Sequence, residues 1–169
     1  MDILITEKKG NIASYASTGM EVDTLYLHWY ETNKRLLHKT TQGGKAVILR
    51  FLQNNPLFAP GDVVHVSDNT LIVIDIALCE VIVIDPRNAF EVAAICFEIG
   101  NKHLPLYYQN DSLLVPLDVP LLRWLQQNNY SCYEAQQRLL TPIQTSVLPH
   151  GTGNASLLNS STLITVKPS

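Results

Sequence analysis

The sequence predicts an α+β protein in which an N-terminal all-β domain is followed by a ferredoxin-like βαββαβ domain. Short apolar runs separated by Gly and Pro turns fill the first half of the 169 residues, which is typical of a small β-domain. Apolar residues with helical spacing appear only after Ala77, in the order strand, helix, two strands, helix and strand. We therefore expect a β-rich domain over residues 1–76, a ferredoxin-like domain over residues 77–148 and a flexible tail over residues 149–169.

The elements of the first domain follow from alternation and from turn residues. Residues 24–31, TLYLHWYE, alternate so that Leu25, Leu27 and Trp29 share one face of a predicted strand. Residues 35–52 form a predicted hairpin that turns at QGG, and residues 63–76 form a second hairpin that turns at SDN. The first domain is therefore predicted to contain only strands and turns.

The second domain begins with a buried strand and a helix. CEVIVIDP, residues 79–86, is a β-branched run that ends at proline. The helix that follows has Asn88 as its predicted N-cap and is expected to end at Gly100-Asn101, since Gly and Asn commonly terminate helices. Phe90 and Phe97 have helical spacing, so we expect both rings in the core.

The rest of the second domain is predicted to contain two strands, a helix and a last strand. LPLYY and LLVPLD flank the turn QNDS, and a second helix is predicted over VPLLRWLQQNN with Pro120 in its first turn. We expect Trp124 of this helix in the core. A final strand near residues 132–136 completes the βαββαβ order.

Composition and charge exclude several classes of function. The net charge is −3, so no basic surface for nucleic acid is expected, and no run approaches the roughly 20 apolar residues of a membrane span. The first residues, MDILITE, lack the basic and then apolar layout of a signal peptide, which predicts a cytoplasmic protein. The three cysteines are scattered, without a CxxC pair, and are expected to be free thiols.

The sequence contains none of the catalytic motifs that would indicate an enzyme. The patterns GxGxxG, GxxxxGK[ST] and GxSxG are absent, and the carboxylates show no paired spacing. Glu98 and Lys102 are expected to form a solvated pair on the helix. A thiol hydrolase would need Cys96 beside His103, but about two helical turns separate them. We therefore expect a protein that is not an enzyme and has no catalytic or cofactor-binding residues.

Of the five histidines, His103 has the most unusual setting. His28, His38 and His65 lie in predicted strands of the first domain and are expected on polar or half-exposed faces. His103 directly follows the predicted end of a helix, where two interpretations remain open. It either interacts with the negative end of the helix dipole or binds nickel, copper or zinc, for which neutral imidazole is a good ligand.

A single imidazole does not hold a metal ion firmly, because protein metal sites use three or four ligands. His150 in the predicted tail is free to approach a site elsewhere in the chain. A two-fold dimer would bring two copies of His103 together if its axis passed close to that residue. Such a shallow and exchangeable site suits a protein that transfers metal.

FEIGNKHLPL, residues 97–106, resembles the signature of the UreE family of urease accessory proteins, in which a helix ends in Gly-Asn-Arg/Lys-His before a short apolar strand. Residues 27–51, LHWYETNKRLLHKTTQGGKAVILRF, and residues 57–74, LFAPGDVVHVSDNTLIVI, are similar to two segments of the family's first domain. The resemblance extends over residues 25–149. The two-domain fold that it implies agrees with the fold that the residue pattern predicts.

The resemblance implies a nickel metallochaperone. Family members form homodimers through the second domain, which implies that His103 of each chain faces the other and that His150 opens a metal-binding tail. Ni(II) would be the cargo, and Zn(II) or Cu(II) would bind the same site. The implied partners are the urease apoprotein and its accessory proteins, including the maturation GTPase, with the first domain as the partner- or peptide-binding domain.

The sequence departs from the family in the number of histidines. Many members have a His-rich tail, whereas His150 is the one histidine of this tail, and residues 117–119, LDV, have none. We therefore expect few nickel ions per dimer, with one at the interface, and leave open whether dimers pair into tetramers. A protein-binding scaffold of the same fold that holds no metal is the alternative.

Overall fold

The structure of the chain is a computed structural model that describes residues 2–15, 19–52, 55–67 and 69–143. The first part consists of β-strands and two short 3-10 helices at Ile12–Tyr15 and Trp29–Glu31. Its strands are β1 (Ile3–Ile5), β2 (Gly10–Asn11), β3 (Glu21–Leu27), β4 (Leu36–Thr40), β5 (Ala46–Arg50), β6 (Asp62–Val66) and β7 (Thr70–Ile76).

These strands form two sheets, with the orders β1-β5-β4 and β2-β6-β7-β3. The two predicted hairpins are present as the antiparallel pairs β4–β5 and β6–β7. Leu25 and Leu27 of β3 are fully buried in the core between the sheets, whereas Tyr26 is exposed. The alternation read from the sequence therefore holds along β3.

The predicted strand over residues 24–31 ends earlier than expected, because a 3-10 turn replaces its last residues. The Glu31 carboxylate accepts the backbone N–H of His28 at 2.9 Å, and the Glu31 N–H donates to the His28 carbonyl at 2.8 Å. This turn directs Trp29 away from the core of its own sheets. The indole packs edge-on against Tyr107 of the second domain, with 6.2 Å between ring centroids.

The second part has the predicted βαββαβ order. Its elements are β8 (Cys79–Ile84), α1 (Ala89–Asn101), β9 (Tyr107–Gln109), β10 (Ser112–Pro116), α2 (Val119–Gln127) and β11 (Cys132–Gln137). The sheet order is β11-β8-β10-β9, with every neighbouring pair antiparallel. This is the ferredoxin-like arrangement, so the predicted fold class is confirmed. No helix in the described part of the chain is long and apolar enough to span a membrane.

The expectation that Phe90 and Phe97 lie in the core is wrong, since their side chains are 79% and 71% exposed. The buried face of α1 carries Ile95 and Ile99 instead, which pack on the sheet and on α2. The helix has apolar residues on two faces, and the spacing of the phenylalanines matched the face that points outward. Trp124 is half-buried at the edge of the core, against Tyr130.

The chain after β11 crosses the face of the ferredoxin-like sheet that the helices leave free. Leu139 is buried there with Val81, Val83 and Tyr107. The chain then reaches the opposite edge of the sheet, where the Tyr108 N–H donates to the Thr141 carbonyl at 3.0 Å. We call residues 138–143 the strap, because they carry the chain from one edge of the sheet to the other.

Candidate metal centre

His103 lies in a left-handed conformation at the end of α1, with φ of 54°. Its N–H donates to the Gly100 carbonyl at 3.0 Å, and the Leu104 N–H donates to the Ile99 carbonyl at 3.2 Å. These two hydrogen bonds form a Schellman motif, in which the residue after the C-cap takes the left-handed conformation. Lys102 is the C-cap and His103 is that next residue.

Glycine usually occupies this position, because a side chain in the left-handed region costs about 1 kcal/mol or more. Among residues other than glycine, histidine is more common there than most. The helix ends at Asn101, as expected, but Gly100 within it has no positive φ, so His103 rather than a glycine takes the left-handed position. The protein thus has a strained histidine where glycine would be unstrained, and strain of this kind is a reason to examine function.

The side chain of His103 is exposed, and its neighbours fix the backbone rather than cover the ring. Leu104 is half-buried and packs against the core of the ferredoxin-like domain. Glu98 and Lys102 form the predicted pair on the helix surface, with 3.5 Å between Oε1 and Nζ. A surface pair of this kind contributes little stability. Neither this pair nor the packing of Leu104 requires an imidazole at position 103.

One protomer does not supply a complete metal site within the described residues. No group of three or more His, Cys, Asp or Glu side chains comes together in residues 2–15, 19–52, 55–67 and 69–143. Burial raises the pKa of the Cys79, Cys96 and Cys132 thiols. Thiols that stay protonated are poor ligands and poor nucleophiles, which argues against both a cysteine-containing metal site and the thiol hydrolase alternative.

The other described histidines lie on separate elements of the N-terminal domain. His28 precedes the 3-10 turn and stacks on Tyr30, with 5.3 Å between ring centroids. His38 is exposed on β4 and His65 is half-buried on β6. His38 and His65 lie on strand faces, as the sequence predicted, while His28 lies just beyond the end of β3.

His150 lies outside the described residues, so its position stays a prediction. The strap, however, defines where the tail begins. The N–H of Ile143, the last described residue, donates to the Leu106 carbonyl at 2.8 Å. Leu106 is three residues from His103. The hydrogen bond therefore ties the end of the strap to the segment that follows His103, just before the tail starts.

An exposed apolar face of α1 leads to His103, although the helical spacing of its phenylalanines predicted that this face lies in the core. Phe90, Ala93, Phe97 and Gly100 are exposed at intervals of three or four residues, which places them along one side of the helix. Ile95 and Ile99 have helical spacing on another side of α1 and are buried. This second apolar face was the signal in the sequence that one of the two faces would point outward. Exposed apolar patches of this kind mark interaction surfaces.

Both parts of the chain match models of one protein family. The model described as the N-terminal domain of the UreE urease accessory protein matches residues 5–77, and that of its C-terminal domain matches residues 79–147. The chain belongs to the UreE family of urease accessory proteins. The resemblance read from the sequence around His103 is thereby confirmed at the level of the family.

Several curated relatives, each described as urease accessory protein UreE, agree with this assignment. The protein of Flavobacterium johnsoniae is 35% identical over 156 residues, which cover 92% of this chain and 94% of the relative. The protein of Actinobacillus pleuropneumoniae is 38% identical over 134 residues, covering 77% and 72% of the two chains. The protein of Acetivibrio thermocellus is 35% identical over 133 residues, which cover 79% of this chain and 86% of the relative.

Membership of the UreE family determines the broad class of function. The family consists of metallochaperones that act as accessory proteins in the maturation of urease, and it is not a family of enzymes. The prediction that the protein is not an enzyme is confirmed on this ground. The family is associated with nickel handling, and His103 lies in the matched C-terminal domain.

Proposed function

We propose that the chain is a nickel metallochaperone whose homodimer binds Ni(II) between two copies of His103 and delivers it during urease maturation. One observation carries the proposal: an exposed imidazole is held in a strained backbone conformation at the end of an exposed apolar helix face. Neither feature stabilises the isolated protomer. Both are explained if a second copy packs on that face and shares an ion at its end.

The ligand chemistry supports nickel as the cargo and explains why other ions compete. Imidazole nitrogen binds Ni(II), Cu(II) and Zn(II), with affinities in the Irving–Williams order. Two copies of His103 and two copies of His150 would supply up to four such ligands. The solvent exposure of His103 leaves the ion accessible to a receiving protein, which a closed structural site would not permit.

The position of the strap supports His150 as an additional ligand. His150 follows Ile143 by seven residues, so the tail extends at most about 25 Å from that point. Leu106, which the strap contacts, is three residues from His103, and the chain between them spans at most about 11 Å. The tail is therefore long enough for His150 to reach the His103 of its own chain or of the partner.

The apolar face of α1 supports dimerisation through the second domain. Burying a phenylalanine side chain contributes about 1.5–3 kcal/mol. A two-fold contact would bury each residue of the face in both copies of the chain. Phe97 precedes the last helical residue, Asn101, by about 6 Å along the helix axis, and His103 follows two residues later. An axis near the C-terminal end of α1 would bring Phe97 and His103 of the two copies together. Paired dimers would give a tetramer.

The N-terminal domain is proposed to bind the partner proteins, namely the urease apoprotein and accessory proteins that include the maturation GTPase. Its three-stranded sheet exposes Leu4 and Leu36, at 56% and 58% of their surface. These leucines lie on β1 and β4, the two edge strands of that sheet. An exposed edge with apolar side chains suits the addition of an extended peptide. We place this activity in the cytoplasm, with neither nucleic acid nor membrane as partner.

Isothermal titration calorimetry with nickel tests the proposal on the full chain. The His103→Ala variant is expected to lose at least tenfold in affinity, because one substitution removes two ligands from the dimer. His38→Ala is the matched control, since His38 is also exposed but lies on β4 of the other domain. Equal affinity in the wild-type protein and His103→Ala would show that nickel binds elsewhere, and no measurable binding by either protein would favour the scaffold without metal.

A further inference from the structure

We propose that Gly100 is a spacing residue that lets a second copy of this chain approach closely enough for two His103 side chains to share one ion. The inference rests on the proposed function, because it assumes the nickel-bridged dimer. It adds a residue with a specific role, and its test separates its own failure from the failure of that function.

The protomer by itself does not require glycine at position 100. Gly100 lies within α1 and does not have a positive φ. A Cβ added there would meet no atom within 4 Å apart from those of the helix itself and its chain neighbours. Glycine is less favourable than alanine in a helix, because it loses more conformational freedom on folding. A residue that would stabilise the protomer therefore fits without obstruction, yet glycine is present.

Gly100 lies where the exposed apolar face of α1 meets His103. It follows Phe97 by three residues, which places it on the same side of the helix. Its carbonyl accepts the N–H of His103 at 3.0 Å. Neither residue at this helix end is the one that would stabilise the protomer most. Glycine occupies a helical position, and histidine occupies the left-handed position that glycine prefers.

The geometry of a shared ion explains both residues. Metal–nitrogen bonds to imidazole are about 2.0–2.1 Å, so two imidazole nitrogens on one ion are at most about 4 Å apart. The helix ends that carry them must approach each other closely. A side chain at position 100 would project from the exposed side of α1, three residues before His103, and would hold the second copy away.

The occupant of this surface is a second copy of the same chain. The described residues contain no group of three metal-binding side chains, and a second copy supplies an identical imidazole by symmetry. The apolar face that leads to Gly100 is exposed in the protomer, so it is available to the same contact.

Gly100→Ala and Gly100→Leu test the role of Gly100, with Val92→Leu as the control. Val92 is exposed on a different side of α1, so its enlargement leaves the proposed contact unchanged. Sedimentation equilibrium with and without nickel measures the dimer dissociation constant, and thermal unfolding of dilute, metal-free protein measures protomer stability. We expect Gly100→Ala to unfold at a higher temperature while its nickel-bridged dimer weakens at least tenfold. Gly100→Leu should weaken the dimer further.

A nickel-bridged dimer of Gly100→Leu as strong as that of the wild-type protein and Val92→Leu would overturn the inference. The same experiment on His103→Ala identifies which idea has failed. If His103→Ala loses the nickel-dependent dimer and Gly100→Leu retains it, the spacing role is wrong and the proposed function stands. If His103→Ala retains it, the proposed function is wrong. Because alanine favours helix, Gly100→Ala keeps the test valid even if the leucine variant does not fold.

Discussion

The backbone N–H of Ile143 donates to the carbonyl of Leu106 at 2.8 Å, and this bond ties the start of the tail to the segment that follows His103. The strap that leads to Ile143 is also fixed at its first residue, Arg138. Gln109 Nε2 donates to the Arg138 carbonyl at 2.9 Å, and the Arg138 guanidinium binds Asp75 and the Ile76 carbonyl, each at 2.8 Å. The tail therefore begins at a defined position on the ferredoxin-like domain.

His150→Ala is expected to lower the nickel affinity about three- to tenfold, less than His103→Ala does. In the proposed site, the strap would keep His150 at a high effective concentration near His103, so the loss of its imidazole would weaken the site without removing it. Calorimetric titration with nickel measures the change. Removal of residues 149–169 serves as a control and should have the same effect as the point substitution. A truncated chain with unchanged affinity would show that the tail is not a ligand.

His103→Gly is expected to stabilise the metal-free protein by about 0.5–1 kcal/mol, since relief of left-handed strain outweighs the greater freedom of glycine in the unfolded chain. The same variant should lose nickel binding. Urea unfolding in the presence of a chelator measures the free energy of unfolding. His103→Ala is the matched comparison, because alanine removes the imidazole but retains the strain, and it should not be stabilised. A destabilised glycine variant would show that His103 makes a favourable contact within the protomer.

Phe97→Asp is expected to raise the dissociation constant of the dimer by roughly 100-fold, because two copies of the ring leave the interface at about 1.5 kcal/mol each or more. Sedimentation velocity over a range of concentrations measures this constant. Leu36→Asp is the control, since Leu36 is 58% exposed but lies on the N-terminal domain. Equal dimerisation of the two variants would place the interface elsewhere.

Acid should weaken the N-terminal domain through Asp23, whose side chain is only 8% exposed. Burial opposes ionisation of this carboxyl, but hydrogen bonds from the Gly43 N–H and the Thr41 hydroxyl, together with Lys45, outweigh it and lower its pKa. Because the folded pKa is depressed, the carboxylate stabilises the protein above its ordinary pKa of about 3.9. This contribution is lost as the pH falls through the folded value.

Urea unfolding between about pH 6 and pH 3 tests this assignment, because about 3.9 is the reference pKa of an aspartate. Asp23→Asn is expected to lower the free energy of unfolding at pH 6 by about 2 kcal/mol, as for the loss of hydrogen bonds to a charged group. It should also show a shallower decline in acid than the wild-type protein. Parallel pH profiles for the two proteins would mean that other groups control the acid sensitivity.

Local patterns in the sequence predicted most of the fold. Alternation placed Leu25 and Leu27 in the core of the first domain, and the predicted N-cap Asn88 accepts the Glu91 N–H at 2.9 Å. The exceptions arise from side-chain contacts that the alternation of apolar and polar residues does not predict. The strand that was expected to continue to Glu31 ends at Leu27, because the Glu31 carboxylate binds a backbone N–H and forms a turn.

The site was less predictable than the fold. Periodicity identified apolar spacing at Phe90 and Phe97, but it did not decide which of two apolar faces of α1 packs on the sheet. His103 was identified by its position after a helix, whereas its left-handed conformation depends on hydrogen bonds that the residue order Gly-Asn-Lys-His does not suggest. The approach of the strap to Leu106 joins residues 37 positions apart and has no local signal.

Native mass spectrometry of the nickel-loaded protein tests most directly whether two protomers share one ion through His103. The account predicts that Ni(II) is retained in dimers at one ion per two chains and is absent from monomers. It predicts that His103→Ala dimers carry no nickel, while His38→Ala dimers carry one ion. Monomers that retain nickel, or His103→Ala dimers that carry it as the wild-type protein does, would contradict the account.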